Sequence, residues 1–246
     1  MEIYVLGSSS SGNSTLIRTE STAILVDVGF SCRYTTKALK NIGTDPKDID
    51  AVLITHEHTD HIRGAGPFFR KYRIPFLMNK PTYQSSNLEI VPAFFENFQE
   101  FRIKDLRITP ITVNHDSSNP VGYLIEGEKK VGVATDLGSI DERLKAYFKG
   151  LDAYVFESNY DEEMLANGSY PVFLKRRIAG NYGHLSNEEC GKTLKEMSDG
   201  ADVFLAHMSE NNNTPEKARD SAEGILGSEF TIHLTHPKRG SEKVRV

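Results

Sequence analysis

Residues Thr55-His56-Glu57-His58-Thr59-Asp60-His61 place four metal-binding side chains within six positions. His56 and His58, two apart, can face one point, and Asp60 and His61 can reach a second point close by. Imidazoles mixed with a carboxylate suit borderline transition metals such as zinc, manganese or iron rather than calcium, which takes oxygen ligands throughout. The competing reading is a polar loop with scattered histidines, and the density of ligands argues against it.

Such ligands need a scaffold that aims them. Residues 51–54, Ala-Val-Leu-Ile, form a short apolar run that predicts a buried strand, and residues 62–72 predict a helix. The motif therefore sits on a strand-to-helix turn, the edge at which open α/β sheets place ligands. Three other candidates have the same context: His115 after the strand at 106–113, Asp136 after 130–135, and His207 after 203–206. That repeated position groups them with His56. His184, His233 and His236 compete with His207 for its place.

The remaining chain supplies supporting elements. Residues 3–7 read as a strand and 8–14 as a Ser-rich loop, foremost a hairpin connection, alternatively a phosphate contact through Ser9 and Asn13. The strand at 23–26 ends at Asp27, which either bonds a metal-binding histidine or caps the helix at 31–42. Phe94, Phe95, Phe98 and Phe101 read first as packing, alternatively as a base-stacking platform. Ser139 and Ser186 each head a capping-box pattern, and Pro215 behind Thr214 opens a last helix. Lys175, Arg176 and Arg177 form the densest basic run. A solvated helix face and an anion contact explain it equally well.

At 246 residues, 38% hydrophobic and 26% charged, the chain reads as a globular protein with a real core. No run approaches eighteen apolar residues, so no membrane partner is expected, and the N-terminus enters a strand without a signal-peptide pattern. Cys32 and Cys190 form no C-x-x-C pair, which predicts free thiols and a cytoplasmic setting. The net charge of −5 confines any nucleic-acid surface to local basic clusters. A homo-oligomer stays open.

The H-x-H-x-D-H motif after an apolar strand resembles the metallo-β-lactamase superfamily, which implies an α+β fold, a four-layer αββα sandwich, here one domain over residues 1–246. The resemblance implies two divalent ions: one held by His56, His58 and His115, the second by Asp60, His61 and His207, with Asp136 bridging. Such a pair can share a hydroxide of lowered pKa, which Asp60 would orient. Gly183-His184-Leu185-Ser186 is similar to the G-H-x-S/T segment of the RNase Z phosphodiesterase branch. That likeness makes His184 a phosphate contact or general acid, with Glu157 as its partner. The 8–14 loop, Glu157-Ser158-Asn159-Tyr160-Asp161, Tyr170-Pro171, the 175–177 run and Asn211-Asn212-Asn213 together resemble the YycJ (WalJ) group over nearly the whole chain. This implies a metal-dependent 5′ exonuclease acting on DNA, with Asn159, Lys175, Arg176 and Arg177 beside substrate and the basic tail at 238–245 as further surface. Hydrolysis of a small cyclic or diester phosphate is the first alternative. Lactam, lactone or thioester hydrolysis follows, and a non-catalytic metal scaffold is the last.

Overall fold

A computed structural model describes residues 1–237 and 240–246. Lys238 and Arg239, which open the basic tail, lie outside the described residues. The first half contains β1 (Glu2–Ser9), β2 (Gly12–Arg18), β3 (Ala23–Val26), α1 (Cys32–Asn41), β4 (Ala51–Leu53), α2 (Thr59–Ile62), α3 (Ala65–Tyr72), β5 (Phe76–Met78), α4 (Lys80–Ser85) and β6 (Ala93–Phe94). Then come β7 (Phe101–Ile103), β8 (Leu106–Thr112), β9 (Val121–Glu126), β10 (Lys130–Ala134), α5 (Glu142–Tyr147) and β11 (Ala153–Glu157). The chain continues through α6 (Glu162–Asn167), α7 (Val172–Ile178), α8 (Asn187–Met197), β12 (Asp202–Ala206), α9 (Pro215–Leu226), β13 (Thr231–Leu234) and β14 (Val244–Arg245).

Among the described residues two seven-stranded sheets result, ordered β14-β1-β2-β3-β4-β5-β6 and β13-β12-β11-β10-β9-β8-β7. Each half begins with antiparallel strands and then turns parallel: β3 to β6 in the first sheet, β10 to β13 in the second. Parallel strands need crossovers, and these are the helices. Their faces are therefore covered on both sides, which explains the unbroken apolar runs.

Side-chain alternation builds the layers. Ile24, Val26, Ala51 and Leu53 of the first sheet meet Ala153, Val155, Phe204 and Ala206 of the second in a core between the sheets. The intervening Leu25 and Val52 face outward into a cluster with Leu39 of α1 and Phe68 of α3. Tyr154, Phe156, Val203 and Leu205 face the other way, onto Leu144 of α5, Leu194 of α8 and Ala222 of α9. A period of two with both faces buried yields helix, sheet, sheet, helix.

Several expectations change in detail. The 8–14 loop is mostly strand: β1 and β2 pair through Ser8↔Asn13 and Ser9↔Gly12, leaving only Ser10 and Ser11 to turn. The helix expected over 62–72 is two helices, and α2 already begins at Thr59, so Asp60 and His61 lie in its first turn. The break follows from packing, because the Gly64 N–H donates to Val28 O at 2.8 Å. Ser139 does not cap α5. Asp141 does, accepting from the Leu144 N–H, while the Ser139 hydroxyl donates to Asn181 O. Ser186 forms its capping box as expected. Phe95 stacks on Phe101 and meets Tyr123 edge-on within the core, so the aromatic stretch is packing; only Phe94 is exposed.

Candidate metal centre

The motif loop is held from below by the end of β3. Asp27, buried and at φ 62°, accepts from the Thr55 N–H (2.9 Å) and the Thr55 hydroxyl (2.8 Å), and lies 2.7 Å from His61 Nδ1. Of its two expected uses, Asp27 therefore takes the histidine; Ser31 caps α1. The next residues lock the loop by backbone contact: Val28 N–H donates to His61 O (2.9 Å), and a Cβ on Gly29 would stand 1.6 Å from Asp60 O. Glycine is the residue that admits this approach.

Four histidines are tied at Nδ1, which leaves Nε2 for the centre. His56 Nδ1 meets Thr55 Oγ1 at 3.0 Å, His61 meets Asp27, His115 meets Gly183 O at 3.0 Å, and His207 meets Glu157 Oε1 at 2.7 Å. Fixing one ring nitrogen in this way sets the tautomer and aims the other. Donor atoms of His56, His58 and His115 lie within 4.8 Å of one another, and so do those of Asp60, His61 and His207. Asp136 stands between the trios: Oδ2 is 3.0 Å from His61 Nε2, and Oδ1 is 3.5 and 3.6 Å from the Nε2 atoms of His115 and His207. His233 pairs with Asp202 instead, at 2.7 Å, and His236 is exposed.

His56 Nε2 is buried without a hydrogen-bond partner, and so is Asp136 Oδ2, whose 3.0 Å approach to His61 Nε2 lacks hydrogen-bond geometry. Buried polar atoms are rarely left so, and two facing one cluster fit divalent metal ligation. Electrostatics agree with a cation site. Burial pushes His56 well below the ordinary histidine range and lowers His115. Burial would also lower His61 and His207. The carboxylates outweigh it, led by Asp136 in both cases, raising His61 well above that range and His207 to about 10. Burial opposes ionisation of Asp136 and Asp60, yet the surrounding imidazoles hold both carboxyls below the usual range.

His184 lies beside the ligand trios with its side chain partly exposed, and its donor atom comes within 4.8 Å of those of Asp136, Glu157 and His207. Its Nδ1 lies 2.8 Å from Glu157 Oε1 and 3.9 Å from Asp136 Oδ1. Glu157 is fully buried; Oε1 faces both His184 and His207, and Oε2 accepts from Leu137 N–H (2.7 Å) and Leu185 N–H (3.1 Å). Burial would raise its pKa, but the two imidazoles lower it. Burial would lower His184, and Glu157 more than offsets that and raises it. The sequence pointed to Glu157 as a partner of His184 but not to its hold on His207.

The expected substrate contacts divide. Ser9, Asn13 and Asn159 are buried and engaged inside the protein. The Ser9 hydroxyl accepts from the Ser11 N–H, and the Asn13 amide bonds Ser9 O (3.1 Å) and reaches Asp60 and His61. The Asn159 amide donates to His207 O at 2.7 Å. Asn13 and Asn159 thus brace the ligand residues Asp60, His61 and His207, while Ser9 bonds within the β1–β2 turn. Lys175, Arg176 and Arg177 lie on α7 near the cluster: Lys175 Nζ donates to Ala166 O, Arg177 Nε to Asp116 Oδ2 (2.8 Å), and Arg176 is exposed. Two further supports escaped sequence reasoning, the Gly183 carbonyl behind His115 and the Ser8 hydroxyl that accepts from the His207 N–H at 2.7 Å.

Two layered sheets with histidine and aspartate ligands at their strand ends define a metallo-β-lactamase fold, and that family is hydrolytic. Residues 22–208 match the β-lactamase superfamily domain, and the chain belongs to this superfamily. It is 34% identical over 254 residues to exodeoxyribonuclease YycJ of Bacillus anthracis, covering 97% of this chain and 96% of that one. It is also 34% identical over 251 residues to exodeoxyribonuclease WalJ of Streptococcus pneumoniae serotype 2, covering 95% and 93%. Among solved structures, the metallo-β-lactamase fold protein YhfI of Bacillus subtilis superposes with a TM-score of 0.78 at 16% identity, covering 99% and 98% of the two chains.

Proposed function

We propose that the chain is a dinuclear metal-dependent phosphodiesterase that degrades DNA from a 5′ end. The observation that carries this reading is Asp136 between two ligand trios, with His184 held beside them on the buried Glu157 carboxylate. Two relatives named exodeoxyribonucleases, each matched over nearly the whole chain, support DNA as the substrate. One domain spans residues 1–246, supported by the pairing of β14 with β1. No helix among the described residues is long and apolar enough to cross a membrane. The free Cys32 and Cys190 thiols support a reducing compartment such as the cytoplasm.

His56, His58 and His115 would hold one ion, Asp60, His61 and His207 the other, and Asp136 both. Zinc, manganese or iron bound there supplies an acidified water and positive charge for the entering and leaving oxygens of the phosphodiester. The protein's own groups do the rest. Asp60, braced by Asn13, orients the attacking water. Glu157 fixes His184 through Nδ1 and favours its protonated form. The second nitrogen of His184 then gives its proton to the leaving oxygen as the P–O bond breaks.

The test is degradation of 5′- and 3′-labelled linear duplex DNA with manganese or zinc, with Asp60→Ala as the control. Stepwise loss from the 5′ end, absent in the variant, supports the proposal. Turnover of a small phosphodiester without cleavage of any DNA would keep the site and reassign it to small cyclic or diester phosphates.

A further inference from the structure

α7 is a helix with no buried residue, although its sequence opens Val172-Phe173-Leu174. Val172 is 64% and Phe173 74% exposed, and Tyr182, just beyond the helix, is 64% exposed. Large apolar side chains this open, on a segment that also carries Lys175, Arg176 and Arg177, mark a binding surface. The surface is continuous with the metal centre. Arg177 is bonded to Asp116, whose Oδ1 is 3.4 Å from His115 Nε2, and Asp116 N–H donates to Tyr182 O. The end of α7 also fixes the general-acid segment, because Ile178 O accepts the His184 N–H at 2.8 Å. Phe173 precedes Arg176 and Arg177 by three and four residues, so the three share one helix face, with the ring about 6 Å along the axis from Arg177.

We infer that this face, with Phe173 and Tyr182 as stacking rings and Arg176 and Arg177 as phosphate contacts, is the path along which an unpaired nucleic-acid strand leaves the metal centre. The inference rests on the phosphodiesterase reading above and adds the strand state. Aromatic faces stack on bases that are free of a duplex, and basic residues between them follow the backbone. A duplex would offer the guanidinium groups its phosphates but leave both rings in water. A polyanion fits the exposed Arg176 guanidinium, with Arg177 beside it on Asp116 and Lys175 on Ala166 O, better than an apolar protein partner does.

The experiment measures binding of phosphorothioate-protected single strands to the manganese-loaded protein, comparing a base-bearing strand with an abasic strand of equal length and charge. Wild type should prefer bases by about five- to a hundredfold for each stacked ring. The Phe173→Ala/Tyr182→Ala variant should bring the two affinities close together, whereas Phe173→Trp should keep the preference; metal content equal to wild type reports an intact centre. A wild-type protein that cleaves DNA yet binds both strands alike, or a double variant that keeps the preference, overturns this inference alone. A wild type that neither binds nor cleaves any DNA overturns the phosphodiesterase reading and the strand path together.

Discussion

Replacing Glu157 by glutamine keeps the volume of the side chain and removes the reason for its position. The carboxylate receives two imidazoles on Oε1, at 2.8 and 2.7 Å, and two backbone N–H groups on Oε2, at 2.7 and 3.1 Å, with no exposure to water. An amide can accept on one side only. If its NH2 faces Leu137 and Leu185, two buried donors lose their acceptor, at about 1–3 kcal/mol each, or about 2–6 kcal/mol in all. Each lost kcal/mol lowers Tm by about 2–4 °C for a chain of this size. If the amide turns over, His184 and His207 must accept at Nδ1 and carry their protons on Nε2. His207 then has no lone pair for a metal. Loss of such an outer hydrogen bond costs about 10–100-fold in metal affinity. Glu157→Gln should therefore melt lower or bind its second ion weakly, and in either case turn over slowly. Elemental analysis after gel filtration, with melts in chelator and in excess manganese, separates the two outcomes. A variant that keeps both ions at wild-type affinity and melts with wild type would show that this carboxylate anchors neither histidine.

His184→Ala should lower turnover by about 10²–10⁴-fold with little change in metal content, and should slow a p-nitrophenyl diester less than DNA, because that leaving group needs no proton; metal loss in step with rate would make His184 a ligand. Gly29→Ala puts a methyl group 1.6 Å from Asp60 O. The motif loop must move, costing about 1–3 kcal/mol or more, so melting temperature and second-ion content should fall together, and wild-type values for both would refute the packing argument. Arg176→Ala should weaken DNA binding and flatten the plot of log affinity against log salt by about 0.7–0.9; an unchanged slope returns the residue to a solvated helix face. Metal uptake at neutral pH should release protons, since the surrounding carboxylates raise His61 well above the ordinary histidine range and push His207 up to about 10, and each must free Nε2 to bind an ion. Affinity should accordingly rise as pH is raised above neutrality. Calorimetry in buffers of different ionisation enthalpy reads the proton count, and a count of zero would mean that His61 and His207 are already neutral.

What could be read in advance depended on how far apart the cooperating residues lie in the chain. His56, His58, Asp60 and His61 are adjacent, so their grouping needs no knowledge of the fold. His115, Asp136 and His207 could be read because each ends an apolar strand. Choices made by tertiary partners could not. Ser139 and Asp141 are both good cap residues, and the carbonyl of Asn181, 42 residues away, draws Ser139 off the helix. Nor does the sequence show that β1–β2 pairing turns the Asn13 amide toward Asp60 and His61.

The anchors follow a rule that local sequence does not display. Asp27 directly follows β3 and holds His61, in the first turn of the helix after the neighbouring strand β4; Glu157 ends β11 and holds His207, which directly follows the neighbouring strand β12. In both halves the pair of strands is parallel, Val26↔Leu53 in one and Glu157↔Ala206 in the other. Parallel pairing brings C-terminal ends to the same edge, so a carboxylate that finishes one strand stands beside the histidine that follows the next. The separations, 34 and 50 residues, hide the pairs in the sequence. Asp27 and His207 also both adopt positive φ, 62° and 54°, outside glycine's usual role. Strain of about 1–3 kcal/mol at each persists because the bonds around it, to Thr55 and His61 on one side and to Ser8, Asn159 and Glu157 on the other, leave the backbone no alternative position. The same arrangement has thus been built twice, once in each half, and the cluster forms where the two edges meet.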